Sequence, residues 1–152
     1  MSRAFVKEDD GSSGEELPER PVSPYRNLVT AEGLAAIEAE LGRLHALLLA
    51  AGQDRSVRAP IERDLRYWNA RRANAELVPP HVAGDEVRFG ATVSVARADG
   101  RTQTFRIVGE DEADPARGTL SHASPLARAI MNREVGDVVR VGDADVEIVA
   151  IA

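Results

Sequence analysis

The stretch from Ala51 to Pro60, AGQDRSVRAP, combines the side chains of this sequence that are best suited to chemistry. It carries one carboxylate, and four arginines lie in or just after it: Arg55, Arg58, Arg63 and Arg66. Such a local excess of positive charge could meet a polyanion. The alternative is an ordinary solvated helix face, in which the arginines form ion pairs with Glu62 and Asp64.

Other patterns associated with catalysis or metal binding are weak. The sequence has no cysteine, which excludes disulfides, thiolate metal sites and cysteine nucleophiles. His45, His81 and His122 are scattered without ligand spacing, so we expect no metal site. The run EDEAD, residues 110–114, lacks the glycine and the spaced acids of a calcium loop.

Composition limits the kind of protein this chain can be. Its 152 residues, 43% hydrophobic with a formal net charge of −6, are enough for one or two small cores. The apolar runs fall far below the roughly 20 residues that span a bilayer, and the N-terminus lacks a secretory hydrophobic segment. We therefore expect a soluble, cytoplasmic protein.

The elements that position the Ala51–Pro60 stretch follow from the apolar spacing around it. Residues 1–27 are rich in Glu, Asp, Ser, Gly and Pro, which predicts a disordered acidic tail. From Thr30, a good N-cap, apolar residues recur at spacings of three and four: Leu34, Ile37, Leu41, Leu44 and Leu48.

A second segment repeats this pattern after Pro60, which suits a first helical turn, with Ile61, Leu65, Trp68, Arg72 and Ala75. Neither stripe can be buried alone, so we predict an antiparallel coiled-coil hairpin over residues 28–78 with Gly52 ending its first helix. The Ala51–Pro60 stretch is then the hairpin's tip.

From Val87 the period changes to the alternation of strands. One hairpin is predicted around Asp99-Gly100, with Val93, Val95, Phe105 and Ile107 facing inward, and another around Gly142-Asp143. Between them, Ser124 and Pro125 begin a short helix with Leu126, Ile130 and Met131 as its apolar face. Residues 79–152 are thus predicted to form an antiparallel sheet with one short helix, and the whole chain an α+β fold.

Several segments resemble the GreA/GreB transcript cleavage factor family. LVTAEGLAAIEAEL, residues 28–41, is similar to the start of the family's coiled coil, and NAELVPP, residues 74–80, to its end. VRFGATVSV, FRIVGEDEAD, SPLARAI and EVGDVV follow in the family's order and at about its spacing. The resemblance covers residues 28–152 and leaves out the acidic tail.

This resemblance implies an FKBP-like C-terminal domain that docks on the rim of the secondary channel of bacterial RNA polymerase, while the coiled coil enters the channel. In the family, two acids at the tip help to hold a second Mg²⁺ for hydrolysis of backtracked RNA. Magnesium requires several oxygen ligands, and a weakly held ion needs extra carboxylate charge. Here Asp54 is the only acid between Ala46 and Ile61, and Val57 stands where the family's glutamate would fall.

The stalk is also short. From Thr30 to Asp54 there are 24 residues, whereas the family's arm is longer by roughly ten or more, which is ~15–20 Å at about 1.5 Å per residue. The regulator-of-nucleoside-diphosphate-kinase branch of the superfamily has a similarly shortened coiled coil and binds polymerase without cleavage activity.

The leading hypothesis is therefore a monomeric, non-enzymatic regulator of transcription elongation that binds bacterial RNA polymerase at its secondary channel. It needs no cofactor of its own, and the polymerase's Mg²⁺ is involved only if Asp54 assists it. The expected polymerase-binding residues are Asp111, Glu112, Ser124, Pro125, Leu126 and Arg128. At the tip, Asp54, Arg55 and Arg58 are expected to contact RNA near its 3′ end or the channel wall.

Three alternatives remain open. The protein could be a true cleavage factor that rescues backtracked polymerase through Asp54, with Asp54 as its one candidate catalytic residue. It could be a generic interaction module whose coiled coil binds another partner. A prolyl isomerase is suggested by fold analogy alone, and the two phenylalanines of the C-terminal half, Phe89 and Phe105, are both expected in the core.

Overall fold

A computed structural model describes residues 17–152, and its first large element is a helical hairpin. Helix α1 spans Ala31–Ala50 and helix α2 spans Arg55–Ala73. Thr30 caps α1 as predicted, because its hydroxyl accepts a hydrogen bond from the amide of Gly33 at 3.0 Å. At the other end, Gly52 follows the helix with φ +58°, a left-handed conformation that suits glycine.

The predicted apolar seam forms the core of the hairpin. Its buried and partly buried members are Leu34, Ile37, Leu41, Leu44, Leu48, Ile61, Leu65 and Trp68. At the base of the hairpin, the predicted seam position of Arg72 was wrong by one residue. Arg72 lies at the surface 3.5 Å from Glu38, while Arg71 is buried with 1% of its surface exposed.

Helix α2 begins earlier than the position of Pro60 suggested. Asp54 is its N-cap and Arg55 its first residue, so Pro60 lies inside the helix rather than in its first turn. Proline has no amide proton, and one backbone hydrogen bond is therefore missing near the helix start. The cap at Asp54 and the apolar seam after Pro60 stabilise the helix, so it begins before the proline.

A short parallel pair of strands, β1 Asn27–Val29 and β2 Ala75–Leu77, joins the two ends of the hairpin at its base. Three residues are too few to show an alternating pattern, which is why the sequence did not indicate them. This pair places the beginning of α1 and the end of α2 side by side.

The C-terminal half contains a five-stranded sheet with the order β5-β4-β3-β7-β6. The strands are β3 Thr92–Arg97, β4 Thr102–Val108, β5 Thr119–Ser121, β6 Val138–Val141 and β7 Ala144–Ile151. The two predicted strand hairpins are present, and Gly100 and Gly142 adopt positive φ in their turns. Strand β5 was not predicted; it pairs in parallel with β4, so the sheet is mixed rather than purely antiparallel.

One short helix, α3 Pro125–Ile130, covers the inner face of this sheet. The four strand residues expected to face inward are buried: Val93, Val95, Phe105 and Ile107. Leu126 and Ile130 of α3 are buried in the same core, while Met131 only packs against it. The α+β class, a helical hairpin followed by a sheet with one short helix, is confirmed.

The predicted acidic tail covered residues 1–27, of which 1–16 lie outside the described residues. The part from 17 to 26, named here the N-terminal strap, contains no helix or strand but is in contact with α2. The disordered tail expected over these residues is thus corrected, because charged and aromatic contacts that composition does not reveal hold the strap against the hairpin. Among residues 17–152, no helix is long and apolar enough to cross a membrane.

Candidate functional site

The carboxylate at the tip of the hairpin is used to cap a helix. Asp54 accepts hydrogen bonds from the amide of Ser56 at 3.0 Å and from its hydroxyl at 2.7 Å. These bonds, the one from the hydroxyl first, hold the pKa of Asp54 below its ordinary value. The carboxylate is exposed and ionised, but one of its oxygens already accepts hydrogen bonds from the first turn of α2.

The arginines near the tip are largely balanced by ion pairs. Arg58 lies 3.1 Å from Glu62 and also donates to the carbonyl of Gly52 at 2.8 Å. Arg63 pairs with Asp64 at 3.2 Å, and Arg66 pairs with Glu19 of the strap at 2.5 Å. The solvated-face interpretation therefore describes these three arginines, while Arg55 is exposed at the first position of α2.

A metal-binding cluster is absent from the described part of the chain, where no three His, Asp or Glu side chains converge. Asp54 has no acidic neighbour at the tip. If Asp54 bound a metal ion, the other ligands would have to come from another molecule.

Asp111, expected to be an exposed docking residue, instead contacts α2. Its carboxylate accepts a hydrogen bond from Arg71 Nε at 2.6 Å and another from the hydroxyl of Tyr67 at 2.5 Å. Arg71 also donates to Asn27 at 2.7 Å and lies 3.4 Å from Glu110. The hydrogen bond to Asp111 raises the pKa of Arg71 against the opposing effect of burial. The Asp111 carboxylate is thus committed within the protein.

Glu112, the second expected docking acid, contacts the start of α1. It accepts from the Thr30 hydroxyl at 2.6 Å, from the Thr30 amide at 3.2 Å and from the Gly109 amide at 3.3 Å. The carboxylate lies so close to Gly33 that a Cβ atom there would be 1.9 Å from Glu112 Oε2. A side chain at position 33 would therefore displace the Glu112 carboxylate from its hydrogen bonds to Thr30.

Tyr67 connects three parts of the chain. Its hydroxyl donates to Asp111, its ring lies under the Arg20 guanidinium at 3.9 Å, and Trp68 meets it edge to face at 5.0 Å. Burial, and then the hydrogen bond to Asp111, raises the pKa of Tyr67 to about 12. Tyr67 thereby joins the strap and the hairpin to the turn after β4.

The four expected docking residues at α3 divide into buried and exposed groups. Ser124 caps the helix by accepting from the Ala127 amide at 3.3 Å, and Leu126 is buried with 8% of its surface exposed. Leu126 lies on the apolar face of α3 as the pattern predicted, and because its side chain fills the core of the sheet it offers no exposed contact for docking. Pro125 and Arg128 are exposed. Arg128 donates to the hydroxyl of Tyr25 at 3.0 Å, so the strap reaches α3 as well.

Two aromatic residues that a prolyl isomerase pocket would need are in the core. Phe89 and Phe105 are 8% and 9% exposed, and His122 packs edge to face on Phe89 at 5.6 Å. Burial lowers the pKa of His122, and its Nε2 atom has no hydrogen-bond partner within the described residues. This packing gives the isomerase alternative no support.

The structure therefore places the expected site residues in three locations: the tip, the turn after β4 and α3. The carboxylates of the neighbouring residues Asp111 and Glu112 both face the hairpin. Sequence reasoning missed Arg71, Tyr67 and Thr30 as their partners. One local signal was available, since Tyr67 and Arg71 are four residues apart and must share a helix face.

The sequence of this chain is similar to those of known proteins. The family described as "Transcription elongation factor, GreA/GreB, C-term" matches residues 81–152. Transcription elongation factor GreA of Hyphomonas neptunium is 35% identical over 135 residues, covering 74% of this chain and 86% of that protein. GreA of Thioalkalivibrio sulfidiphilus is 43% identical over 98 residues, covering 60% of this chain. GreB of Neisseria meningitidis serogroup A is 41% identical over 97 residues, again covering 60% of this chain.

The alignments to the latter two proteins span only 62% and 60% of their lengths. Among solved structures, GreA factor homolog 1 (Gfh1) of Thermus thermophilus covers 84% of this chain and 99% of that chain at 18% identity, with a TM-score of 0.41. That score is too low to support a conclusion, whereas the sequence similarity to Hyphomonas GreA extends over most of both proteins. The chain belongs to the GreA/GreB family of transcription elongation factors.

Proposed function

We propose that this protein binds bacterial RNA polymerase at its secondary channel and regulates transcription elongation without stimulating transcript cleavage. The observation that carries the proposal is the state of the tip, where the single carboxylate of Asp54 caps α2 through Ser56. Family membership supports the polymerase as partner. Lack of a second acid at the tip argues against a role in cleavage.

The chemistry of cleavage explains why one carboxylate is insufficient. A Mg²⁺ ion prefers six oxygen ligands in near-octahedral geometry and keeps its waters unless strong anionic ligands hold it. A second catalytic ion must also orient the attacking water. Asp54 could add one oxygen at most, and the nearest side chains of its helix are Arg55 and Ser56. We infer that the polymerase's Mg²⁺ gains little from this tip.

The reach of the hairpin supports the same proposal. Helix α1 has 20 residues, which corresponds to ~30 Å at about 1.5 Å per residue. A tip at this distance from the base would occupy the outer part of a channel and obstruct it. The protein itself is then no enzyme, but a monomeric cytoplasmic factor that acts by occupying a site on its partner.

Docking is proposed to use the exposed surface of α3. Pro125 and Arg128 are accessible there, and the Ser124 cap fixes the orientation of the helix that presents them. Asp54, Arg55 and Arg58 are proposed to contact the channel wall or RNA near its 3′ end. Arg55 is exposed beside the capping acid and is the arginine of the tip that is best placed for such a contact.

One observation favours a second candidate, a genuine cleavage factor: Asp54 is exposed and held in its ionised form. Backtracked elongation complexes incubated with the protein distinguish the two. The proposal predicts no shortening of transcripts beyond the rate of polymerase alone, for both the natural protein and Asp54→Ala. Robust cleavage that is lost in Asp54→Ala would establish the second candidate and overturn the first.

A further inference from the structure

We propose that Asp111 and Glu112 are positioning residues that hold the helical hairpin at one angle to the C-terminal sheet, and that they do not contact polymerase themselves. The statement about the angle concerns this chain alone. Its consequence for polymerase binding rests on the proposed function.

The geometry shows how one turn can fix two helices. Asp111 contacts α2 through Arg71 and Tyr67, one helical turn apart, and the adjacent Glu112 contacts the first turn of α1 through Thr30. Two neighbouring residues of one turn thus contact both helices at their base. Contacts on two different helices restrict rotation of the hairpin more than one contact would, and they act together with Leu28 and Val78, which pack against the core of the sheet.

Burial makes one of these contacts strong. Arg71 is 1% exposed and Asp111 has 12% of its side chain exposed, so water screens their attraction little. A buried guanidinium that loses this carboxylate keeps only the more distant Glu110, 3.4 Å away, and the cost of that loss opposes motion that separates Arg71 from Asp111. The charge pair therefore favours one arrangement of hairpin and sheet.

The N-terminal strap adds a second connection between the same two parts. Arg20 lies over Tyr67 of α2 at 3.9 Å, and five residues later the Tyr25 hydroxyl accepts from Arg128 of α3 at 3.0 Å. The strap precedes the region that resembles the family. It ties the hairpin to the helix that presents the proposed docking residues.

The length of the hairpin makes the angle important. Its tip lies ~30 Å from the base, so a rotation of about 10° at the base moves the tip by about 5 Å. A protein that docks through α3 and occupies a channel with its tip needs both ends placed together. Loosening the base should weaken channel occupancy while α3 remains intact.

Distance measurement tests the angle directly, because the sequence has no cysteine to interfere with labelling. Spin labels at Gln53→Cys in the tip and Thr102→Cys at the start of β4 report the separation of tip and sheet. We expect a single narrow distance distribution for the parent and a broad one for Glu112→Ala. Glu147→Ala, an exposed glutamate of β7, is the matched control and should leave the distribution narrow.

Two further variants show whether a broad distribution reflects loss of the contacts or loss of folding. Glu112→Gln keeps an oxygen acceptor and should retain most of the narrow distribution. Arg20→Gln combined with Tyr25→Ser alters only the strap, and we expect partial broadening with an unchanged circular dichroism spectrum. If folded Glu112→Ala and the strap variant both keep the parent's narrow distribution, the proposal is wrong.

The functional arm is separate. Unlabelled Glu112→Ala should compete several-fold more weakly than the parent with a cleavage factor for core RNA polymerase, and Glu147→Ala should compete normally. If Glu112→Ala broadens the distance distribution but competes as well as the parent, Glu112 positions the hairpin, and the claim that this positioning matters for polymerase binding is wrong. A parent that does not compete at all would refute the proposed function, while the distance measurement would still decide the positioning.

Discussion

Arg71 and Asp111 form a buried charge pair, with Nε of the arginine 2.6 Å from Oδ2 of the aspartate. The arginine belongs to the hairpin and the aspartate to the turn that follows β4, forty residues later in the chain. Tyr67 donates to the aspartate, Asn27 accepts from the arginine side chain, and Glu110 lies 3.4 Å from the guanidinium. The pair thus adds polar contacts between the two halves of the protein to the apolar packing of Leu28 and Val78 against the core of the sheet.

Removal of the Asp111 carboxylate should destabilise the fold strongly. Asp111→Ala leaves the buried Arg71 guanidinium with only the more distant Glu110, and removal of one partner of a buried charge pair typically costs about 3–5 kcal/mol of unfolding free energy. Urea denaturation measures this change. Asp145→Ala, at an exposed position of β7 that forms no ion pair with any described residue, should change stability little. Equal urea midpoints for the two variants would show that the Arg71–Asp111 pair makes no net contribution to the free energy of unfolding.

Two glycines of α1 should respond oppositely to the same substitution. A Cβ at Gly33 would lie 1.9 Å from the Glu112 carboxylate, whereas a Cβ at Gly42 would meet nothing within 4 Å. Gly42→Ala should stabilise the protein by about 0.5–1 kcal/mol, the difference in helix propensity. Gly33→Ala should lower stability despite the same gain, because the Glu112 side chain must move. Thermal unfolding of both variants tests the contact, and stabilisation by Gly33→Ala would contradict it.

Ionisation of Tyr67 should weaken the fold at high pH. Its pKa is raised from 10.0 to about 12 in the folded protein, so the folded state holds the phenolic proton more tightly than the unfolded state does. The resulting stability is fully present below pH 10 and is lost as pH rises toward 12. Spectrophotometric titration in a Tyr25→Phe background isolates this group. A Tyr67 that titrates near pH 10 would contradict its burial and its hydrogen bond to Asp111.

The tip aspartate should matter for the helix and not for transcript cleavage. Asp54→Ala removes the oxygen that accepts from Ser56, so we expect a small decrease in the thermal midpoint. Asp54→Ser supplies another capping oxygen and should recover most of this loss. Because the pKa of Asp54 is held below its ordinary value, the natural cap should persist as pH falls through the usual range of aspartate titration. A midpoint unchanged by Asp54→Ala would show that the cap is unimportant.

Local patterns were sufficient to predict most of the fold. The seam from Leu34 to Leu48, the cap at Thr30 and the two strand hairpins each depend on residues close together in the chain, and each is present. The short strands β1, β2 and β5 were missed because they form through pairing with distant segments. Pro60 misled the prediction of where α2 begins, since the capping contact of Asp54 outweighs it.

The candidate site was harder to predict because its key contacts join distant residues. Asp111 and Glu112 are typical of a solvated turn until Arg71 and Thr30 are brought beside them. The helical pattern favoured Arg72 on the seam, and only the packed base of the hairpin shows Arg71 inside. At the tip, by contrast, the single acid and the short stalk were visible in the sequence itself.

Competition between this protein and a cleavage factor for core RNA polymerase tests the central claim most directly. Increasing amounts of the protein should displace the labelled factor and suppress its cleavage of backtracked transcripts, and Arg128→Glu should weaken the displacement. Binding of both factors to polymerase at once, with cleavage undiminished at saturating concentrations of this protein, would contradict the account.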